Sequence, residues 1–177
     1  FNHGGLTFGQ AVRNTEILFR CAASAGVRKI VHISVTQASP DSPLPYYAGK
    51  GLQEQAVKES GVPYSIVRPT LVFGREDILV NNIAWLMRKF PIFPIAGDGQ
   101  YKMQPSYVGD LARIAIEQAR GPHSETIDAI GTGTYTFRDL TRSISSALGR
   151  NVSFVRVSPG MSIFLGKVVG LFLRDVI

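Results

Sequence analysis

Residues 34–74 decide the fold: Ser34-Val35-Thr36, then Pro45-Tyr46-Tyr47-Ala48-Gly49-Lys50, a helical run closed by Ser60-Gly61, then Pro63-Tyr64-Ser65-Ile66-Val67-Arg68-Pro69, and finally Phe73-Gly74. Just ahead of this stretch, Arg28 to Val35 holds Ile30-Val31-His32-Ile33. So continuous an apolar run suits a strand covered on both faces of a parallel sheet. The loop from Thr36 to Pro45 contains Pro40, Pro43 and Pro45 and continues neither neighbouring element. The helix that follows is expected to reach Ser60, with Leu52, Gln55, Ala56 and Glu59 marking its period and Gly61 stopping it, and Tyr64 to Val67 reads as the next strand. Strand, helix and strand at this spacing predict βαβ units and an α/β domain built on a parallel sheet.

Upstream, residues 6–25 predict a helix whose apolar positions are Leu6, Val12, Leu18 and Cys21, ended by a left-handed Gly26. Downstream, residues 78–90 predict a helix that Pro91 and Pro94 prevent from extending, and Gly97-Asp98-Gly99 a turn. Tyr107-Val108-Gly109-Asp110 leads into a helix with Leu111, Ile114, Ala115 and Gln118 on one side and Asp110 as its expected cap. Thr126 to Ile130 reads as a strand. Thr136 with Asp139 resembles a capping box opening a helix that stops at Gly149, and Asn151 to Val157 reads as a further strand. The closing run from Met161 to Ile177 is interrupted by Lys167 and Arg174, and it is shorter than the roughly 20 apolar residues of a membrane span. A packed or interface-lying helix is expected there.

At 177 residues and 45% hydrophobic, the chain can bury one core. The net charge of +6 comes from 19 scattered basic residues, with no stripe interleaved with aromatics, so no nucleic-acid partner is expected. A bound dinucleotide would suit a positive balance. Cys21, the only cysteine, excludes a disulfide framework and a cysteine-based metal site, and is expected to be a small buried residue. His3, His32 and His123 show no ligand spacing, so no metal is expected, and His32, inside a strand, reads as a satisfied core histidine. No Gly-x-Ser-x-Gly elbow marks a hydrolase. Gly131 to Thr136 lacks the third glycine of a dinucleotide fingerprint, and Gly160 to Lys167 misses the phosphate-loop spacing. No secretory signal is visible. A cytoplasmic location is expected, with an organelle matrix as the alternative. The chain opens on Phe1 and ends abruptly, and both ends are expected to belong to something longer.

The chemistry-bearing pair is Tyr46 and Lys50. Four residues apart on a helix, phenol and ammonium share one face, about 6 Å apart at Cβ. An adjacent ammonium favours phenolate and lowers a tyrosine pKa. Ser34 or Thr36 at the preceding strand end offers a hydroxyl to hold a substrate oxygen, and open α/β sheets bind ligands at the carboxyl ends of their strands. Tyr47 is the poorer candidate because Gly51 stands four residues after it.

Several motifs occur here in order: Ala25-Gly26-Val27-Arg28-Lys29-Ile30-Val31-His32-Ile33-Ser34, Tyr46 with Lys50, Gly61-Val62-Pro63 through Arg68-Pro69, Val72-Phe73-Gly74, and Tyr107-Val108-Gly109-Asp110-Leu111-Ala112. Together they resemble the extended and atypical branch of the short-chain dehydrogenase/reductase superfamily, the NAD-dependent epimerase/dehydratase group, over residues 6 to about 160. Phe73-Gly74-Arg75-Glu76-Asp77 with Asn81 and Asn82 is similar to the 39 kDa-type accessory subunit of respiratory complex I.

The resemblance implies a Rossmann-like, doubly wound parallel sheet, of which residues 1–74 are the C-terminal portion, with a small α/β substrate-side lobe at 75–177 interleaved with the last sheet elements. It implies NAD or NADP as cofactor, with Ser34, Tyr46, Lys50, Arg68, Pro69 and Thr70 as cofactor-binding residues. Tyr46 would be the general acid/base, Lys50 would lower its pKa, and Ser34 or Thr36 would orient the substrate. The relay serine stays open among Ser34, Thr36 and Ser39, and Ala11 stands where many members carry an asparagine. The family's glycine-rich turn would precede Leu6, so NAD and NADP are not distinguished. Two functions follow: an oxidoreductase or nucleoside-diphosphate-sugar epimerase/dehydratase acting on a small molecule, or a non-catalytic nucleotide-binding or assembly module. A homodimer and a peripheral or subunit contact through 161–177 complete the expected partners.

Overall fold

In the computed structural model, residues 7–158, 160 and 161 are described. In chain order they form α1 (Phe8–Ser24), β1 (Ile30–Ile33), α2 (Pro45–Glu59), β2 (Tyr64–Pro69), β3 (Val72–Phe73), α3 (Ile78–Lys89), β4 (Ile92–Ala96), β5 (Lys102–Met103), β6 (Ser106–Tyr107), α4 (Val108–Arg120), β7 (Glu125–Ala129), β8 (Tyr135–Thr136), α5 (Phe137–Ala147) and β9 (Ser153–Val157). The chain divides into two units, Phe1–Val72 with Pro105–Gly131, and Phe73–Gln104 with Thr132–Ile177.

The first unit is organised on a parallel sheet with β2 between β1 and β7. Ile30 to Ile33 lie opposite Tyr64 to Val67, and Ser65 to Pro69 lie opposite Glu125 to Ala129. Successive side chains of a strand point to opposite faces. Ile66 accordingly packs with Phe19 of α1 and Val57 of α2, while Val67 packs with Leu111 of α4 and Ala129 of β7. Helices on both faces explain the near-continuous apolar reading of these strands, the mark of a doubly wound, Rossmann-like sheet. Polar positions on β2 are satisfied locally, as where the buried Ser65 hydroxyl donates to Gln118 Oε1 of α4 at 2.7 Å.

In the second unit β4 pairs in parallel with β9, from Ile92 opposite Ser153 to Ala96 opposite Val157. Ile83, Ala84 and Met87 of α3, Phe93 and Ile95 of β4, Ile144 of α5 and Val152 form its core. The capping box at Thr136 and Asp139 is made in both directions, and the Asp77 carboxylate caps α3 by accepting from the amides of Leu79 and Val80. Gly97 and Gly99, at φ of 63° and 71°, make the expected turn.

As expected, α3 ends before Pro91; the strand β4 that follows is not among the sequence expectations, and it accommodates Pro94 because among the described residues it pairs along one edge, with β9. Other sequence expectations are corrected. On α1 the buried positions are Val12 and Phe19, whereas Leu18 is 63% exposed and Cys21 lies on the surface. On α2 the buried positions are Gly49, Gly51, Glu54 and Val57. The stripe Leu52, Gln55, Ala56 and Glu59 instead lines a groove with Glu16, Phe19 and Arg20 of α1. Asp110 does not cap α4: Tyr107 occupies the N-cap position, its side chain making no capping bond to the helix amides, and Asp110 accepts from Arg113 at 3.2 Å. Among the described residues no helix is long and apolar enough to cross a membrane. The proposed contact through 161–177 lies, beyond Met161, outside the described residues.

Candidate functional site at the carboxyl ends of β1 and β2

The site is built where β1 and β2 run out. The Ser34 amide donates to Val67 O at 2.8 Å and the Thr36 amide to Pro69 O at 3.0 Å, so the parallel ladder continues past β1 and places both hydroxyl residues beside the end of β2. Gln37 then takes a left-handed φ of 64°, rare for a residue with a side chain, and turns the chain into the proline loop. That loop returns onto α2, where the Ser39 amide donates to Tyr47 O at 3.3 Å. Gly51 makes the close approach possible, because a Cβ there would lie 2.3 Å from both Ser39 C and Pro40 N.

Lys50 donates through Nζ to Ile33 O at 3.1 Å, tying α2 to the end of β1. Tyr46 stands one turn earlier, 45% exposed, edge-on to Phe8 at 6.4 Å and to Tyr47 at 5.4 Å. The described hydrogen bonds include none between Tyr46 and Lys50. The Tyr46 pKa is raised, first by burial and then by the Tyr47 phenol, and that direction opposes the lowering the sequence pair suggests. The cause is geometric, since the ammonium is engaged with a strand carbonyl while the phenol sits among aromatic rings. Burial lowers the Lys50 pKa, and the carboxylate of Glu54 raises it in turn.

Beneath the pair lies a network whose centre the motif reading missed. Glu54, on α2 four residues after Lys50, is 2% exposed. Its Oε1 accepts from Ser34 Oγ at 2.5 Å and from Arg68 Nε at 2.8 Å, and its Oε2 accepts from Arg68 Nη2. Burial alone would raise the Glu54 pKa, but the bonds from Arg68 and Ser34 and the charges of Arg68 and Lys58 leave it below the ordinary carboxylate value. Conversely, the Glu54 hydrogen bond raises the Arg68 pKa. Of the residues expected to bind a cofactor, Ser34 and Arg68 therefore both turn to Glu54, and Ser34 is itself buried. Pro69 offers its carbonyl to Thr36, and Thr70 follows at the end of β2. The sequence held no clear signal for Glu54, because the α2 stripe it shares with Gly49 and Gly51 has no apolar signature; once buried, its carboxylate requires partners.

His32 also departs from expectation. Its ring stands edge-on to Phe19 at 5.8 Å, and its Nε2 is buried without a hydrogen-bond partner. Burial and the Lys50 charge pull its pKa from the ordinary 6.5 to about 4, against the opposing charge of Glu54. The unfolded chain thus takes up this proton below about pH 6.5 and the folded chain only below about 4, so stability falls as pH drops through that window. Urea midpoints between pH 7 and 4 are expected to decline, and His32→Leu to flatten the decline. Glu54, its folded pKa depressed, adds its own loss only as pH falls below its ordinary 4.5. Among the described residues no group of three or more histidine, cysteine, aspartate or glutamate side chains could hold a metal ion.

No protein-family model matches the chain. The fold is that of a Rossmann-like α/β protein. The dTDP-glucose 4,6-dehydratase DesIV from Streptomyces venezuelae, solved as a double mutant with NAD and DAU bound, superposes with a TM-score of 0.74 at 26% identity, over 87% of this chain and 55% of that one. A UDP-glucuronic acid 4-epimerase from Bacillus cereus in complex with NAD gives 0.72 at 20% identity, over 86% and 58%, and shows the fold alone.

Among curated proteins, "NADH dehydrogenase (ubiquinone) 1 alpha subcomplex subunit 9, mitochondrial" of Dictyostelium discoideum is 29% identical over 119 residues, 66% of this chain and 33% of that protein. The "NADH-ubiquinone oxidoreductase 40 kDa subunit, mitochondrial" of Neurospora crassa is 27% identical over 150 residues, 82% of this chain and 38% of that one. The NAD(P)H azoreductase of Xenophilus azovorans is 26% identical over 149 residues, 83% and 50%. The curated relatives thus include complex I subunits of the 39 kDa type as well as an azoreductase, and the structural neighbours are epimerase/dehydratase enzymes of the short-chain dehydrogenase/reductase superfamily, the superfamily the motifs resemble. The chain spans about a third of the length of the first two curated relatives and just over half of the solved structures.

Proposed function

We propose that the chain is part of an NAD(P)-binding short-chain dehydrogenase/reductase-like protein whose strand-end site takes the nicotinamide side of a dinucleotide. The observation that carries this is Lys50, a partly buried ammonium anchored by one N–H to Ile33 O beside the hydroxyl residues at the end of β1. An ammonium has three donors, so its capacity fits the hydroxyls of a ribose. The bound dinucleotide would supply hydride chemistry. Lys50 would bind and orient it, with Arg68, Pro69 and Thr70 flanking. Tyr46, a phenol and so protonated at neutral pH, would give a proton to a substrate oxygen, and Thr36, rather than Ser34 whose hydroxyl proton goes to Glu54, would hold that oxygen. The domain division proposed with it has the Rossmann portion at 1–74 and the substrate-side lobe at 75–177, interleaved with the last sheet elements, of which β7 pairs with β2.

A second reading, a nucleotide-binding or assembly subunit without turnover, is favoured by two observations. The Tyr46 pKa moves away from the phenolate, and the one hydroxyl proton of Ser34 is given to a buried carboxylate. The mitochondrial relatives favour an organelle matrix over the cytoplasm for either reading. The discriminating experiment titrates the full-length protein with NADH and NADPH by fluorescence, then compares Tyr46→Phe with the parent. Enhanced reduced-nucleotide fluorescence is expected, and its absence for both nucleotides overturns both readings. With a responsive carbonyl substrate, catalysis by Tyr46 predicts a loss of about 10²-fold or more in kcat with binding retained. Equal turnover selects the non-catalytic role for this phenol.

A further inference from the structure

We propose that Glu54 is the positioning residue of the strand-end site: its buried carboxylate fixes the direction of the Ser34 hydroxyl, clamps Arg68, and stands as the counter-charge to Lys50 one helical turn away. The inference rests on the dinucleotide reading only for the ligand that the positioned groups would meet.

Three geometric facts carry it. The carboxylate is 2% exposed, yet it lies on the same helix as Lys50 and four residues after it, the separation at which side chains on a helix are neighbours. It takes the only hydroxyl proton of Ser34, so Ser34 is left with lone pairs alone to offer and acts toward any ligand as an acceptor. It also receives two parallel N–H bonds from Arg68, the bidentate arrangement that fixes a guanidinium in direction as well as distance.

The charged and titratable groups around it are His32 on β1, Lys50 and Lys58 on α2, and Arg68 on β2, with Asp128 of β7 acting on Arg68. Among them Glu54 is the anion that opposes the burial of Lys50, favouring its charged form. A lysine that keeps its charge while partly buried is the form able to hold hydroxyl oxygens. Ser34 and Arg68 reach Glu54 across 20 and 14 residues, so the arrangement binds the ends of both strands to α2 through a single side chain.

The test uses the full-length protein with reductively ¹³C-methylated lysines, Lys50 being assigned by its loss in Lys50→Arg. In Glu54→Gln, which keeps the shape and removes the charge, the Lys50 titration is expected to move down by about one pH unit, and NADH affinity to fall about tenfold. Glu54→Asp is expected to recover most of both. A folded Glu54→Gln protein with the Lys50 titration and NADH affinity of the parent overturns the proposal. Should that variant fail to fold, Glu54→Gln with Arg68→Gln leaves no unpaired guanidinium, and the same titration decides. If the parent protein binds neither NADH nor NADPH, the dinucleotide reading fails by itself, and the shift or constancy of the Lys50 titration still decides the role of Glu54.

Discussion

Replacing Arg68 by alanine is expected to cost about 3 kcal/mol of stability, the low end of the loss that follows when one partner of a buried ion pair is removed. The reason is asymmetry. Glu54 retains 3% of its side-chain exposure against 26% for Arg68, so truncating the arginine strands a carboxylate that water cannot reach. Ser34 alone would remain to satisfy it. The partial exposure of Arg68 places the effect at the lower end of the range. Replacing both residues by a matched apolar pair removes the stranded charge and is expected to cost much less. Urea unfolding at pH 7 reads both: a midpoint that falls for Arg68→Ala at constant slope, and recovers in the double replacement, is the expected pattern. A loss under about 1 kcal/mol for Arg68→Ala would show that the pair behaves as a solvated surface bridge.

Gly51→Ala is the second large effect. The added Cβ would stand 2.3 Å from the Ser39 carbonyl carbon and from Pro40 N, which are backbone atoms and cannot rotate away. Either the loop lifts from α2 or the helix shifts, at a cost of about 1–3 kcal/mol for overpacking. Lifting the loop breaks the Ser39 to Tyr47 bond and displaces the segment that follows Thr36. Faster proteolytic cleavage within residues 36–45, a lower Tm and weaker dinucleotide binding are expected together. Gly49→Ala is the internal control. Its Cβ would meet Phe8 Cβ at 3.8 Å, an ordinary contact, and replacing a mid-helix glycine is expected to stabilise by about 0.5–1 kcal/mol. Equal behaviour of the two variants would contradict the account of the loop.

Local signals carried most of the fold. The β1–α2–β2 order, the left-handed glycines at 26 and 61, and the capping box at Thr136 and Asp139 each follow from residues near one another in sequence. What the residues alone left hidden depended on neighbours far along the chain. Pro94 reads as a breaker until β9, about 60 residues later, is known to lie along one edge of β4. The inner stripe of α2 contains two glycines and a glutamate, so its burial has no apolar signature, and Leu52 marked the groove side instead.

The site divides in the same way. Tyr46 and Lys50 were legible from helical spacing, and the placement of Ser34 and Thr36 at a strand end from the βαβ order. The direction of the Tyr46 pKa, the partnerless Nε2 of His32 and the commitment of Ser34 to Glu54 were not, because each is set by packing against α1, β1 or β2.

The central claim is that the ends of β1 and β2, with the first turns of α2, hold a dinucleotide. Hydrogen exchange of the full-length protein with and without saturating NADH measures this most directly. Slowed exchange at the amides of residues 34–37, 46–50 and 70–72 is the predicted result. Binding that leaves these amides unchanged while protecting other segments would contradict it.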